Sequence, residues 1–227
     1  MQKEKINRLS ILVILAFLFL SLMGNAQTIK DIDGNTYRTI SYGLQVWTVP
    51  NLNVSHFRNG DTIPQARTDE EWSKAAETGT PAWCYQENNP ANGSRYGKLY
   101  NWYAVNDPRG LAPEGWHIPA NADWRTLVKN LNGVDMAGSS LKSTSKAWKS
   151  RPGTNKIGFE GLPGGYRQLD GKFTELGYSC RWWSNSAPVE IKPSGRIYSV
   201  VLDDTSVEVK YLESDKGAGF SVRCEKD

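Results

Sequence analysis

Apolar and polar positions along the chain change rhythm several times, and each rhythm predicts a different element. Ile11 to Leu20 is an unbroken apolar run. Residues 27–55 read as strands: Asp33-Gly34-Asn35 marks a turn, Thr36 to Ile40 runs out to Tyr42-Gly43, and Gln45 to Val49 returns. Thr68-Asp69-Glu70-Glu71 then opens a helix. Thr68 can cap it, Glu71 three residues on completes a capping box, and Gly79 with Pro81 supplies the stop. A turn-rich stretch holding Trp83, Tyr85, Tyr96, Tyr100, Trp102 and Tyr103 follows without clean periodicity.

The clearest helix begins near Asn121, read as its cap. Trp124, Leu127, Val128 and Leu131 form one apolar stripe at i, i+3, i+4 and i+7, and Asn132-Gly133 ends it. From residue 157 the chain is strand-like again. Pro163-Gly164-Gly165 calls for positive φ or close backbone approach. Cys180 to Ser184 is expected as a strand, Arg196 to Leu202 and Val207 to Leu212 as an antiparallel hairpin, and Ala218 to Cys224 as the last strand.

The early apolar run changes the picture of where the protein works. It follows Lys3, Lys5 and Arg8, is too short to span a bilayer, and precedes Gly24-Asn25-Ala26, a small-residue cleavage pattern. Residues 1–26 are therefore expected to be a cleaved signal peptide and 27–227 one exported domain, in the periplasm, on the surface or secreted. No membrane span is expected after cleavage. The whole chain of 227 residues carries a formal +3, and losing the basic leader brings it close to neutral, which argues against a nucleic-acid surface.

Candidate chemistry is sparse. Cys84, Cys180 and Cys224 are the cysteines and His56 and His117 the histidines. No Cys-x-x-Cys pattern exists, so no metal is expected. Asp31-x-Asp33-Gly34-Asn35 lacks the later acidic ligand of a calcium loop and is read as turn chemistry. No Gly-x-Ser-x-Gly elbow or phosphate loop is present. A catalytic role would call for a free, low-pKa Cys84. The expectation is a non-enzyme without cofactor.

Five segments in order carry a resemblance. They are Tyr100-Asn101-Trp102-Tyr103-Ala104-Val105, Gly115-Trp116-His117-Ile118-Pro119, Leu162-Pro163-Gly164-Gly165-Tyr166-Arg167, Trp182-Trp183-Ser184 and Gly219-Phe220-Ser221-Val222-Arg223-Cys224. Together they resemble the Fibrobacter succinogenes major paralogous domain, a family of exported bacterial proteins of mostly undetermined function. The likeness extends to the formylglycine-generating-enzyme-like branch of the C-type-lectin-like group. It implies an α+β fold of two helices, short antiparallel strands and long irregular loops, with the first and last strands close together.

The resemblance also implies a site. Lectin-like domains present ligands on their late strands and loops, which singles out Trp182, Trp183, Asn185, Tyr198 and Tyr211. The two tryptophans point to opposite faces of a strand, so at least one is expected in the core. The calcium-dependent sugar motifs are missing. Many members carry a cysteine where this chain has Ala112, and the resemblance then pairs Cys180 with Cys224, with Cys84 the alternative partner. The implied function is non-catalytic binding of a glycan or an envelope or surface protein; the rival is a structural or assembly role in the envelope through a protein partner.

Overall fold

The alternating N-terminal segment folds as expected into a meander. A computed structural model describes residues 28–185 and 196–227; the leader read over 1–26 lies outside them. Strands β1 (Thr28–Lys30), β2 (Thr36–Tyr42) and β3 (Gln45–Thr48) pair antiparallel in that order. The C-terminal strand β12 (Glu225–Lys226) adds to β3, and β6 (Trp116–His117) closes this five-stranded sheet. A second five-stranded sheet has the order β11 (Lys210–Ser214), β10 (Ile197–Asp203), β9 (Ser179–Trp183), β7 (Gly164–Arg167), β8 (Phe173–Leu176). A third sheet pairs β4 (Trp83–Tyr85) with β5 (Lys98–Tyr100).

The helices are short. They are α1 (Asp69–Thr78), α2 (Gly93–Tyr96), α3 (Trp102–Val105), α4 (Asn121–Asn130) and α5 (Val134–Leu141). The capping box of α1 forms as read, with Thr68 Oγ1 accepting from Glu71 N at 3.1 Å and Glu71 Oε2 from Thr68 N at 3.2 Å. Helix α4 starts one residue earlier than expected. Ala120 is its cap, and Asp123 Oδ2 accepts the Ala120 N–H at 2.8 Å.

The expected C-type-lectin-like α+β fold of two helices is therefore corrected: three sheets dominate, with only a few short helices. The cause is element length. Strands β6 and β12 have two residues each, and β5 is buried at all three positions, so neither gives a period-2 pattern. Turn-rich segments with no visible rhythm were strands. Helix α5 was missed because it follows the Asn132-Gly133 stop directly and contains Gly138, whose missing side chain lets the helix approach Val207 O.

The late hairpin also shifts. Val207 to Val209 do not join β10. Gly138 N donates to Val207 O and Val209 N to Val134 O, both at 2.8 Å, so this stretch binds α5, and pairing with β10 begins at Lys210.

Ala218 to Cys224 is no ordinary strand either; it threads between the sheets. Gly219 bridges Arg167 of β7, Phe220 bridges Tyr100 of β5, and Ser221 bridges Trp182 of β9. Leu52 N then donates to Val222 O and Thr48 N to Cys224 O, both at 2.9 Å, before β12 enters the first sheet. One buried segment thus stitches all three sheets. Gly219 is needed there, since a Cβ would fall 2.7 Å from the Trp72 ring.

Helix α4 joins the two large sheets. Its stripe is buried throughout. The Trp124 ring lies 4.7 Å from Trp47 of β3 and 5.7 Å from Trp182 of β9, with Phe159 in the same cluster. Beneath them, Asn51 Oδ1 accepts from Trp182 Nε1 at 2.9 Å and Arg223 Nε at 2.6 Å, while its Nδ2 donates to Tyr96 O and Ser221 Oγ. Both partners of Oδ1 are pure donors, which fixes the orientation of the amide.

Candidate functional site

The five expected ligand residues part company. Trp182 and Trp183 are both wholly buried, which corrects their assignment as ligand contacts. They do face opposite sides of β9, but each side is covered. Trp182 packs on Trp124 and Phe159, and Trp183 lies 5.7 Å from Trp102 and 4.4 Å from Phe220. Their indole N–H groups are consumed inside, Trp183 donating to Tyr100 O at 2.7 Å. These are scaffold residues.

Tyr198 and Tyr211 lie on the paired strands β10 and β11, and Asn185 follows the end of β9. Ser184 N donates to Tyr198 O, and the exposed Asn185 donates its N–H to Pro119 O at 2.8 Å. Tyr211 sits opposite Val200, diagonal to Tyr198. It is half-buried beneath the Arg125 guanidinium, 4.7 Å from its ring, and burial pushes its hydroxyl up to about 12. Among the described residues that hydroxyl has no hydrogen-bond partner.

A better-shaped site lies on strands β7 and β9. A groove of about 440 Å³ is lined by Tyr166, Arg181 and Phe220, with Gln168, Asp170, Glu213 and Asp215 around it, within the size range of small-ligand sites. The half-buried Tyr166 ring is its apolar wall, edge-on to Phe220 at 5.7 Å. The Arg181 guanidinium stacks 3.9 Å from the Tyr166 ring centre.

The backbone explains how these side chains are aimed. Gly165 and Glu175, facing each other between the paired Gly164–Leu176 and Tyr166–Thr174, both adopt left-handed φ, 61° and 60°. At Gly165 a Cβ would sit 2.3 Å from Thr174 O, so the Pro-Gly-Gly segment does need glycine. Glu175 bears about 1–2 kcal/mol of strain in that conformation. Its carboxylate accepts from Ser179 Oγ and pairs with Arg181 Nη2 at 3.3 Å, holding the guanidinium over Tyr166.

Sequence reasoning passed over Tyr166 and Arg181. Both lay inside or beside quoted motifs, and the available signal was the glycine pair preceding an aromatic, which read only as a turn. Arg167, next to Tyr166, is by contrast fully buried and donates to the carbonyls of Gly171, Ala66 and Thr68.

The cysteines also depart from expectation. Cys84, Cys180 and Cys224 are free and buried, each in a different apolar cluster. The Cys180–Cys224 bridge is not formed, because the two side chains serve separate clusters. Burial pushes the Cys84 and Cys224 thiols up to about 12 and raises Cys180 as well, which suppresses the nucleophilic thiolate. Unreduced protein should release three titratable thiols on denaturation and react slowly when folded; recovery of a single thiol would restore the bridge.

A family model described as Fibrobacter succinogenes major domain matches residues 40–226. No curated protein and no solved structure matches the chain. Among the described residues no helix is long and apolar enough to cross a membrane.

Proposed function

The chain belongs to the Fibrobacter succinogenes major domain family, and from that premise we propose that it is an exported, non-catalytic binding protein whose ligand is a glycan seated in the Tyr166–Arg181 groove. The leader pattern supports export. The observation that carries the reading is the partly exposed Tyr166 ring, stacked by Arg181 and ringed by Gln168, Asp170, Glu213 and Asp215. A sugar needs an apolar face to lie against and acceptors and donors for its hydroxyls, and this groove supplies both. The high thiol pKa values further support a binding role over thiol catalysis.

Retention of mature protein on envelope polysaccharide fractions tests the proposal. Wild-type protein should be retained and released by free sugar, whereas Tyr166→Ala should lose retention by at least about tenfold, the scale of one aromatic contact. Recovery instead of a stoichiometric envelope protein, not displaced by sugar, would overturn the glycan reading in favour of an assembly role.

A further inference from the structure

We propose that His117, Asp123 and Glu225 form a binding site for a divalent transition-metal ion of the zinc class. The proposal departs from the metal-free expectation, which rested on short ligand spacings. Here His117 and Asp123 lie six positions apart, Glu225 lies over a hundred positions beyond them, and the fold assembles the three. Antiparallel pairing of β6 and β12 sets Glu225 opposite His117, and Asp123 enters from the first turn of α4. One ligand atom from each residue lies within 4.8 Å of the others, and His117 Nε2 is 3.5 Å from Asp123 Oδ2. Donors around a tetrahedral ion at about 2.0–2.2 Å stand roughly 3.3–3.6 Å apart, so a modest contraction closes the shell.

Three further features fit an ion. His117 Nδ1 lies 2.8 Å from Asp227 Oδ1, the carboxylate–histidine pairing that fixes Nδ1–H and turns the Nε2 lone pair to a metal. In that tautomer the lone pair faces a carboxylate oxygen, an arrangement that asks for a cation between them. Gln45, 93% buried, is the second. Its Nε2 donates to Asp123 O at 3.0 Å and Glu225 Oε2 at 3.2 Å, while its Oε1 has no hydrogen-bond partner among the described residues. An unpaired buried acceptor on the side chain that holds the Glu225 carboxylate suits an ion or a water bound to one. The third is access: the His117 and Asp123 side chains are 39% and 31% exposed, so solvent and an ion reach them.

The donor set, one imidazole and two carboxylates with an open position, matches zinc chemistry. Such an ion would tie β6, the start of α4 and the C-terminal strand together. The site is independent of the glycan groove.

Isothermal titration of tag-free, EDTA-stripped protein with zinc chloride at near-neutral pH tests the site. The expected result is one ion per chain in the wild type, unchanged in Asp170→Asn, and affinity at least about tenfold weaker in His117→Gln and Glu225→Gln. Near-UV circular dichroism without zinc establishes that the variants are folded, and His117→Gln alone suffices should Glu225→Gln unfold. No saturable binding up to about 1 mM zinc would overturn the proposal. Undiminished affinity for one ion in His117→Gln would overturn it equally, by placing the ion elsewhere, for instance on the thiols.

Discussion

Arg223→Met is expected to remove about 3–5 kcal/mol of stability, enough to leave little of the folded population in a domain of ordinary stability. Arg223 is a fully buried cation with no hydrogen-bonded carboxylate. Its guanidinium donates to Asn51 Oδ1, to Thr48 O at 2.8 Å, to Phe159 O at 3.0 Å and to Glu160 O at 3.3 Å, and lies 4.4 Å from the Phe159 ring. Burial pulls its pKa down to about 9, so it remains charged at neutral pH. Methionine fills much of the stem but supplies no donor, and each carbonyl it abandons costs about 1–3 kcal/mol. Urea unfolding should show a midpoint lowered by about 1.5–2.5 M at unchanged slope. Lysine should restore little, since an ammonium lacks the planar fork that serves several acceptors at once. A loss below about 1 kcal/mol would show that the buried network is not what joins these segments.

Trp182→Ala should cost a similar amount, about 3–5 kcal/mol. The indole is fully enclosed by Trp124 and Phe159, with its N–H committed to Asn51. Truncation opens a cavity between α4 and the second sheet, where rigid rings on several sides limit collapse. Trp182→Phe keeps part of the packing and loses the donor, so a smaller loss is expected. Because Trp182 and Arg223 share the same Asn51 oxygen, their combined effect should fall short of the sum. Thermal or urea unfolding of the two single variants and the double variant checks both statements. A Trp182→Ala variant of near-native stability would contradict the core placement and reopen its role as a ligand contact.

The locally encoded features were legible. The capping box of α1, the buried stripe of α4, the β2–β3 hairpin and the demand for positive φ at Gly165 all depend on residues a few positions apart. The fold class was not, because the strands that complete the first sheet and make up the third, β6, β12, β4 and β5, have only two or three residues each. Phe220 shows the difficulty: its neighbours are Tyr100, Tyr166 and Trp183, none of which its own segment announces. The expectation of Trp182 and Trp183 as ligand contacts failed for a related reason. Alternation along β9 correctly separated Trp182 from Trp183, but whether a second layer covers a face depends on tertiary packing. Tyr166, on a glycine-bearing strand near an edge, stayed partly open, while the more conspicuous indoles went inside. Glu225 lies over a hundred positions from His117 and Asp123, so no local spacing announces the three together.

The proposed glycan site puts the ligand on Tyr166 and Arg181 and not on the tyrosines of β10 and β11. Binding isotherms on the retained polysaccharide fraction test this most directly, comparing wild-type protein with Tyr166→Ala and Tyr198→Ala. The groove predicts affinity lost by at least about tenfold in Tyr166→Ala and unchanged in Tyr198→Ala. Undiminished binding by folded Tyr166→Ala, with the loss appearing in Tyr198→Ala, would contradict it.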